Sequence, residues 1–172
     1  MTRHIFLIGF MGSGKTHWGK ILAERLGVPF LDLDAFIEEN EGNTIPGIFA
    51  ASGENGFRIL ERENLLRLAA LPPAVVATGG GTPCFFNNMR WMRKHGTTIY
   101  LKTSPEILFE RLKNERSQRP LLKNLSESEL KSFIQKRLEE REPFYQRADF
   151  VWNQTGDAAI YLEKILMLIA PK

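Results

Sequence analysis

Eight consecutive residues, Gly9-Phe10-Met11-Gly12-Ser13-Gly14-Lys15-Thr16, fit the spacing G-x-x-x-x-G-K-[ST] in full. Glycines at that spacing let backbone N–H groups turn inward around an anion, while the lysine adds a point charge and the hydroxyl serves a hard cation. The chemistry is the cradling of nucleotide phosphates. Gly12, Ser13 and Gly14 supply the loop, Lys15 reaches the β- and γ-phosphates, and Thr16 faces Mg2+. The pattern by itself does not separate a kinase from a nucleotide-driven switch.

Two carboxylates follow. Asp32 and Asp34 flank Leu33, and residues two apart on a strand face the same side. Beside a phosphate loop, such a pair could hold water on Mg2+ and orient an attacking hydroxyl. Asp is also a favoured helix cap, so the pair fits equally a strand end that caps a helix beginning at Ala35. Gly79-Gly80-Gly81 permits close approach of backbone to a ligand, or is simply a turn. Arg58, Arg119 and Arg141 carry forks suited to carboxylate or phosphate, although a surface arginine is more often solvated or salt-bridged. His4, His17 and His95 show no metal-ligand spacing, and there is no Cys/His cluster.

Positioning these groups requires a scaffold, and the apolar runs describe one. Residues 4–10 form a continuous apolar stretch that predicts a strand. Residues 15–26 read as a helix stopped by Gly27. Residues 30–34, 74–78, 97–102 and 149–154 predict further strands. Residues 45–70 are mostly helical, broken near Gly53 and closed by Pro72-Pro73, and residues 86–94 are helical. Ser104 and Pro105 read as the cap and first position of a helix running to about residue 115. Residues 115–125 are a polar loop, Ser126-Glu127-Ser128-Glu129 is a capping box for the next helix, and Asp157 opens the last one. Strands alternating with helices imply an α/β fold with a five-stranded parallel sheet covered on both faces. Ligands of such sheets bind beyond the carboxyl ends of the strands. The residues after Phe10, at Asp32 and Asp34, and after Thr78 then surround one crevice.

The 172 residues are expected to form one domain, 1–172, with 43% hydrophobic and 25% charged residues as in ordinary globular proteins. The net charge is +3, but the basic residues are spread out, and the densest stretch, 111–147, interleaves them with glutamates. That argues against a continuous nucleic-acid stripe and fits small anionic ligands. The single cysteine, Cys84, excludes an internal disulfide and suits a reducing, cytoplasmic compartment; it reads as a small buried residue. The first residues lack the apolar run of a signal peptide, and no stretch of 18 apolar residues predicts a membrane span. Leu162, Ile165, Leu166 and Ile169 lie at helical spacing, as one face of a core-packed helix.

Taken together, these motifs resemble the shikimate kinase family over residues 5–154. The linked set is Gly-Phe-Met-Gly-Ser-Gly-Lys-Thr, Asp32-Leu-Asp34, Ile48-Phe49 with Gly53-Glu54 and Phe57-Arg58, Gly79-Gly80-Gly81, Arg119-Pro-Leu-Leu, and Arg141-Glu-Pro-Phe-Tyr145. The resemblance implies a P-loop NTPase-like three-layer fold with an NMP-kinase-like lid over about residues 114–125. It implies transfer of the ATP γ-phosphoryl to the 3-hydroxyl of shikimate, a step of chorismate and aromatic amino-acid biosynthesis. It also implies roles: Lys15, Asp34 and Arg119 catalytic; Asp34, Arg58, Gly79, Gly80, Gly81 and Arg141 around shikimate; Thr16 and Asp32 at Mg2+. Arg119 would close on the phosphates from the lid, and Gln154 would meet adenine, with Gly12, Ser13, Gly14, Lys15, Thr16 and His17 completing the ATP site. The implied protein is a monomer acting on small molecules, with neither nucleic acid nor membrane as partner.

The sequence departs from the family pattern at His17 and Trp18, where a small or hydroxylated residue and then a small apolar one are more usual, and at Gly47, where an acid is more usual. The competing readings are another small-molecule kinase, such as one for gluconate, and a nucleotide-binding regulatory module without catalysis.

Overall fold

The computed structural model of the chain describes residues 3–115, 122, 124–154 and 158–169. The strands are β1 (His4–Ile8), β2 (Phe30–Asp32), β3 (Val75–Ala77), β4 (Gly96–Lys102) and β5 (Phe150–Asn153). They form one sheet in the order β2-β3-β1-β4-β5, with every neighbouring pair parallel. The helices are α1 (Lys15–Leu26), α2 (Leu33–Glu41), α3 (Ile45–Arg67), α4 (Asn88–His95), α5 (Pro105–Lys113), α6 (Glu127–Tyr145) and α7 (Ala158–Ile169).

The two-residue period of the strands divides the core. On one face, Ile5 and Leu7 of β1, Val75 of β3 and Ile99 and Leu101 of β4 pack with Leu22 and Ala23 of α1 and Leu162 and Ile165 of α7. On the other, Phe6, Ile8, Val76 and Tyr100 meet Ile37 of α2, Phe57 and Leu65 of α3 and Met92 of α4. Apolar side chains on both faces explain why these strands read as unbroken hydrophobic runs. A third cluster lies beyond the sheet edge. Phe10 packs there with Leu108 and Leu112 of α5, Leu130 and Ile134 of α6, and the fully buried Leu122. Among the described residues no helix is long and apolar enough to cross a membrane.

The strand-helix alternation and the five parallel strands are as the sequence predicts, and the boundaries differ where side chains compete with the backbone pattern. The first strand ends at Ile8, because Gly9 turns the chain into the phosphate loop. The second ends at Asp32, whose carboxylate accepts from the Asp34 amide and starts α2 two residues before the sequence pattern suggested. Helix α4 begins at Asn88 rather than 86, since Phe86 and Asn87 both take positive φ. Cys84 is half-buried rather than enclosed.

Helix α3 is broken at Gly53, with φ 66° and ψ −173°, a conformation open essentially to glycine alone. The break redirects the following turns, which carry Glu54, Phe57, Arg58 and Glu61. A methyl group at Gly53 would meet nothing within 4 Å, so its cost is backbone strain and not a clash. Gly53→Ala is expected to lose about 1–3 kcal/mol, read by calorimetry as a fall in Tm of about 2–4 °C per kcal/mol.

Candidate active site

The carboxyl ends of β1, β2 and β3 open onto a cleft of about 590 Å3. Its walls include Gly12, Gly14, Lys15, Thr16, Asp32, Asp34, Gly79 and Gly80, so the phosphate loop, the acid pair and the glycine turn share one cavity. The loop is held from within. Lys15 Nζ donates to the carbonyls of Gly9 and Phe10, each at 2.9 Å, and so lies folded across the loop it belongs to. Gly14 sits at φ 87° as the residue before α1, leaving the first amides of that helix directed toward the cleft. Ser13 is fully buried inside the loop.

The two carboxylates are brought together by capping and not by strand alternation. Asp32 ends β2 and caps α2, and Asp34 lies in the first turn of that helix. The Thr16 hydroxyl donates to Asp32 Oδ2 at 3.0 Å. The hydroxyl and carboxylate are hard oxygen ligands, and they face the cleft beside the phosphate loop, which fits Mg2+ held by one or two protein oxygens together with nucleotide phosphates. Among the described residues no group of three or more His, Cys, Asp or Glu could hold a metal by itself. Asp34 is pushed up from 3.8 to about 6, chiefly by burial and then by Asp32 and Glu61, against the opposing pull of Lys15 and Arg58. A carboxylate tuned in this way is close to the working range of a general base.

The glycine turn is pressed between charged groups. A Cβ at Gly79 would lie 2.8 Å from Glu61 Oε1, one at Gly80 3.2 Å from Arg141 Nη1, and one at Gly81 2.6 Å from Arg58 Nη2. Bare backbone is needed here for space. Arg58 is 8% exposed and is gripped by its own helix, with Nη1 on Glu61 Oε2 at 2.8 Å and Nη2 on Glu54 Oε1 at 3.3 Å. Its guanidinium lies over the rings of Phe57 and Phe85, and its buried Nε lacks a hydrogen-bond partner. Arg141 lies over the Phe10 ring at 5.6 Å. The two arginines, 83 positions apart in sequence, therefore approach adjacent glycines of one turn, Arg141 at Gly80 and Arg58 at Gly81.

At the other end of the cleft, Gln154 Nε2 donates to the Ser13 carbonyl at 2.6 Å. His17 and Trp18 also line the cavity, with Trp18 packed against Trp152 at 4.7 Å between ring centroids. Arg119 and most of the expected lid, residues 116–121 and 123, lie outside the described residues. Two residues of the site escaped the sequence reading. Arg111 donates to the Gly12 carbonyl at 2.9 Å and to Gln154 Oε1 at 3.3 Å, bridging α5 to the phosphate loop. Its place in the last turn of a helix that leads into the expected lid was the available signal. Glu61, 0% exposed, accepts from Arg58 and from Thr82 Oγ1. Its spacing of three from Arg58 on a helix could have marked it.

A family model described as shikimate kinase matches residues 11–169 of the chain. A shikimate kinase of Phocaeicola vulgatus is 51% identical over 153 residues, which cover 89% of this chain and 87% of the relative. The crystal structure of shikimate kinase from Bacteroides thetaiotaomicron superposes with a TM-score of 0.89 at 42% identity, covering 96% of this chain and 97% of that one. Shikimate kinase from Acinetobacter baumannii, solved in complex with shikimate, gives 0.87 at 37% identity, covering 98% and 93%.

The raised pKa of Asp34 has a thermodynamic consequence. Between its unfolded value of 3.8 and its folded value of about 6, the folded chain holds more of the Asp34 proton than the unfolded one. This group's contribution is therefore present at low pH and is lost as pH rises through about 6. In metal-free and ligand-free buffer, Asp34→Asn is expected to melt higher than the unsubstituted protein near neutral pH. The gap should shrink as pH falls toward 4. Thermal melts across that range check the sign, and a variant that melts lower at neutral pH would contradict burial as the dominant cause.

Proposed function

The chain belongs to the shikimate kinase family, and from that membership we infer that it is an ATP-dependent kinase transferring the γ-phosphoryl of ATP to the 3-hydroxyl of shikimate. The products are shikimate 3-phosphate and ADP, a step of aromatic amino-acid biosynthesis. The observation that carries the reading beyond nucleotide binding is the convergence of Arg58 and Arg141 on the glycine turn at the edge of the phosphate cleft. Two guanidinium groups beside bare backbone suit a compact ring that bears a carboxylate.

In the proposed reaction, the loop amides of Gly12, Ser13 and Gly14 and the Lys15 ammonium hold the β- and γ-phosphates. Lys15 leaves its loop carbonyls to do so. Arg58 and Arg141 take the acceptor carboxylate, Gly79, Gly80 and Gly81 form the surface under its ring, and Asp34 orients the 3-hydroxyl. The bond from that oxygen to the γ-phosphorus forms as the bond from phosphorus to the β–γ bridging oxygen breaks. The hydroxyl proton passes to Asp34, whose pKa of about 6 leaves it largely ionised at neutral pH yet basic enough to accept. Mg2+, held through Thr16 and Asp32, would neutralise charge on the β- and γ-phosphates. Arg119 closes over the phosphates from the lid, while Gln154, Arg111 and His17 border the remainder of the nucleotide. The chain works as one domain, as a monomer, in the cytoplasm.

The decisive assay is coupled ADP release with shikimate, with gluconate and with no acceptor. Turnover is expected with shikimate alone, and turnover with gluconate instead would overturn the acceptor. Lys15→Ala should cut kcat by orders of magnitude while leaving the fold intact, because its charge acts on the transferring group. Arg141→Ala should weaken shikimate binding about ten- to a hundred-fold, the loss of about 1.5–3 kcal/mol in a charge-assisted contact. ATP binding measured alone should change little. Arg58→Ala should act in the same direction but also destabilise the fold, since it strands Glu61 in the interior. Calorimetric titration of each variant with each ligand separates these effects.

A further inference from the structure

Tyr145 lies one turn after Arg141 on α6 and is fully buried. Its hydroxyl donates to the carbonyl of Gly80 at 2.5 Å, across 65 positions of sequence. The Arg141 guanidinium lies close enough to act electrostatically on the same hydroxyl. The Tyr145 ring is seated against Tyr100, with centroids 5.0 Å apart. Tyr100 is braced in turn, since its hydroxyl donates to Glu142 Oε2 at 2.5 Å and Lys102 donates to Glu142 Oε1 at 2.8 Å. On the far side of the glycine turn, a Cβ at Gly80 would meet Arg141 Nη1 at 3.2 Å and the Met11 amide at 3.4 Å.

A buried phenol must find a partner for its hydroxyl. The partner here is the backbone of the central glycine of the turn that lines the cleft. The donor's helix also carries one of the two arginines of the acceptor site. One hydroxyl thus bonds the surface proposed to lie under the acceptor ring, and the group proposed to hold the carboxylate lies against the same glycine. Burial raises the phenol pKa, so the hydroxyl keeps its proton and remains a donor to Gly80.

We propose that Tyr145 is a positioning residue for the acceptor, its hydroxyl fixing the glycine turn against which the Arg141 guanidinium lies. The proposal rests on the acceptor site described above. It predicts that the hydroxyl matters to acceptor affinity more than to the chemical step or to the nucleotide, because its bond goes to the turn proposed for the acceptor, while the Lys15 ammonium bonds the Gly9 and Phe10 carbonyls.

The test is Tyr145→Phe, which keeps the ring and its packing and removes only the hydroxyl. Loss of a buried neutral hydrogen bond should raise KM for shikimate about three- to ten-fold. KM for ATP and kcat should each stay within about two-fold. In Arg141→Ala, adding Tyr145→Phe should raise the shikimate KM by clearly less than it does alone, because the two side chains meet at Gly80. Unchanged shikimate KM in Tyr145→Phe would overturn the proposal, whatever happens to Tm. So would an equal loss in KM for both substrates, which marks a general loosening of the fold, and so would strict additivity with Arg141→Ala. Failure of the unsubstituted protein to phosphorylate shikimate would be a separate result, overturning the acceptor reading beneath the proposal.

Discussion

The site is organised around one buried carboxylate. Glu61 is cut off from solvent, and its two oxygens are divided between Arg58 and the Thr82 hydroxyl. Removing one member of such a buried pair typically costs about 3–5 kcal/mol, because the survivor keeps its charge without a partner. The Thr82 bond ties α3 to the residues that follow the glycine turn. The ion pair, within α3, holds the Arg58 guanidinium in place. The charge of Glu61 reaches Asp34 too, where it adds to the upward shift that burial begins. A single interior acid therefore sets the geometry of one binding group and helps tune the basicity of another.

The phosphate loop rests on a different support. Phe10, at the start of the loop, is buried in the cluster formed by α5, α6 and Leu122. Its ring also carries the Arg141 guanidinium. The loop proposed to meet nucleotide and the arginine proposed for the acceptor thus share one aromatic side chain. Arg111 adds a second tie, from α5 to the Gly12 carbonyl and onward to Gln154. Helices α5 and α6, which flank residues 114–125 in sequence, both pack in the cluster around Phe10.

Much of this was legible in the residues, and the reasons are uneven. The phosphate loop declared itself because its glycines and lysine are contiguous, so local spacing carries the whole signal. The buried strands declared themselves because both sheet faces are covered, which leaves unbroken apolar runs in the sequence. The start of α2 was misread because Asp32 can end a strand or cap a helix, and only the hydrogen bond to the Asp34 amide decides between them. Asp32 and Asp34 were grouped correctly for a reason that does not hold: capping unites them, not strand alternation. The late start of α4 was invisible because nothing in Phe86 or Asn87 announces a positive φ. Glu61 and Arg111 were missed because their roles lie in tertiary contacts, where an ordinary charged residue on a helix becomes a strut. The pairing of Arg58 with Arg141 came from family resemblance and not from residue chemistry, since a lone arginine looks the same at a site and on a surface.

The crowding around Gly79, Gly80 and Gly81 limits how this sequence can change over generations. Each of the three faces a different charged side chain at a distance that leaves no room for a methyl group without displacing it: Glu61, Arg141 and Arg58 in turn. Any larger residue at one of these positions would have to arrive together with a compensating change in its neighbour. Two of those neighbours, Glu61 and Arg58, are themselves bound to one another. Single-step change is therefore opposed at the three glycines, most strongly at Gly79 and Gly81. Lineages descending from this chain can diversify on its outer helix faces, while the turn and the charges around it must pass on as a block.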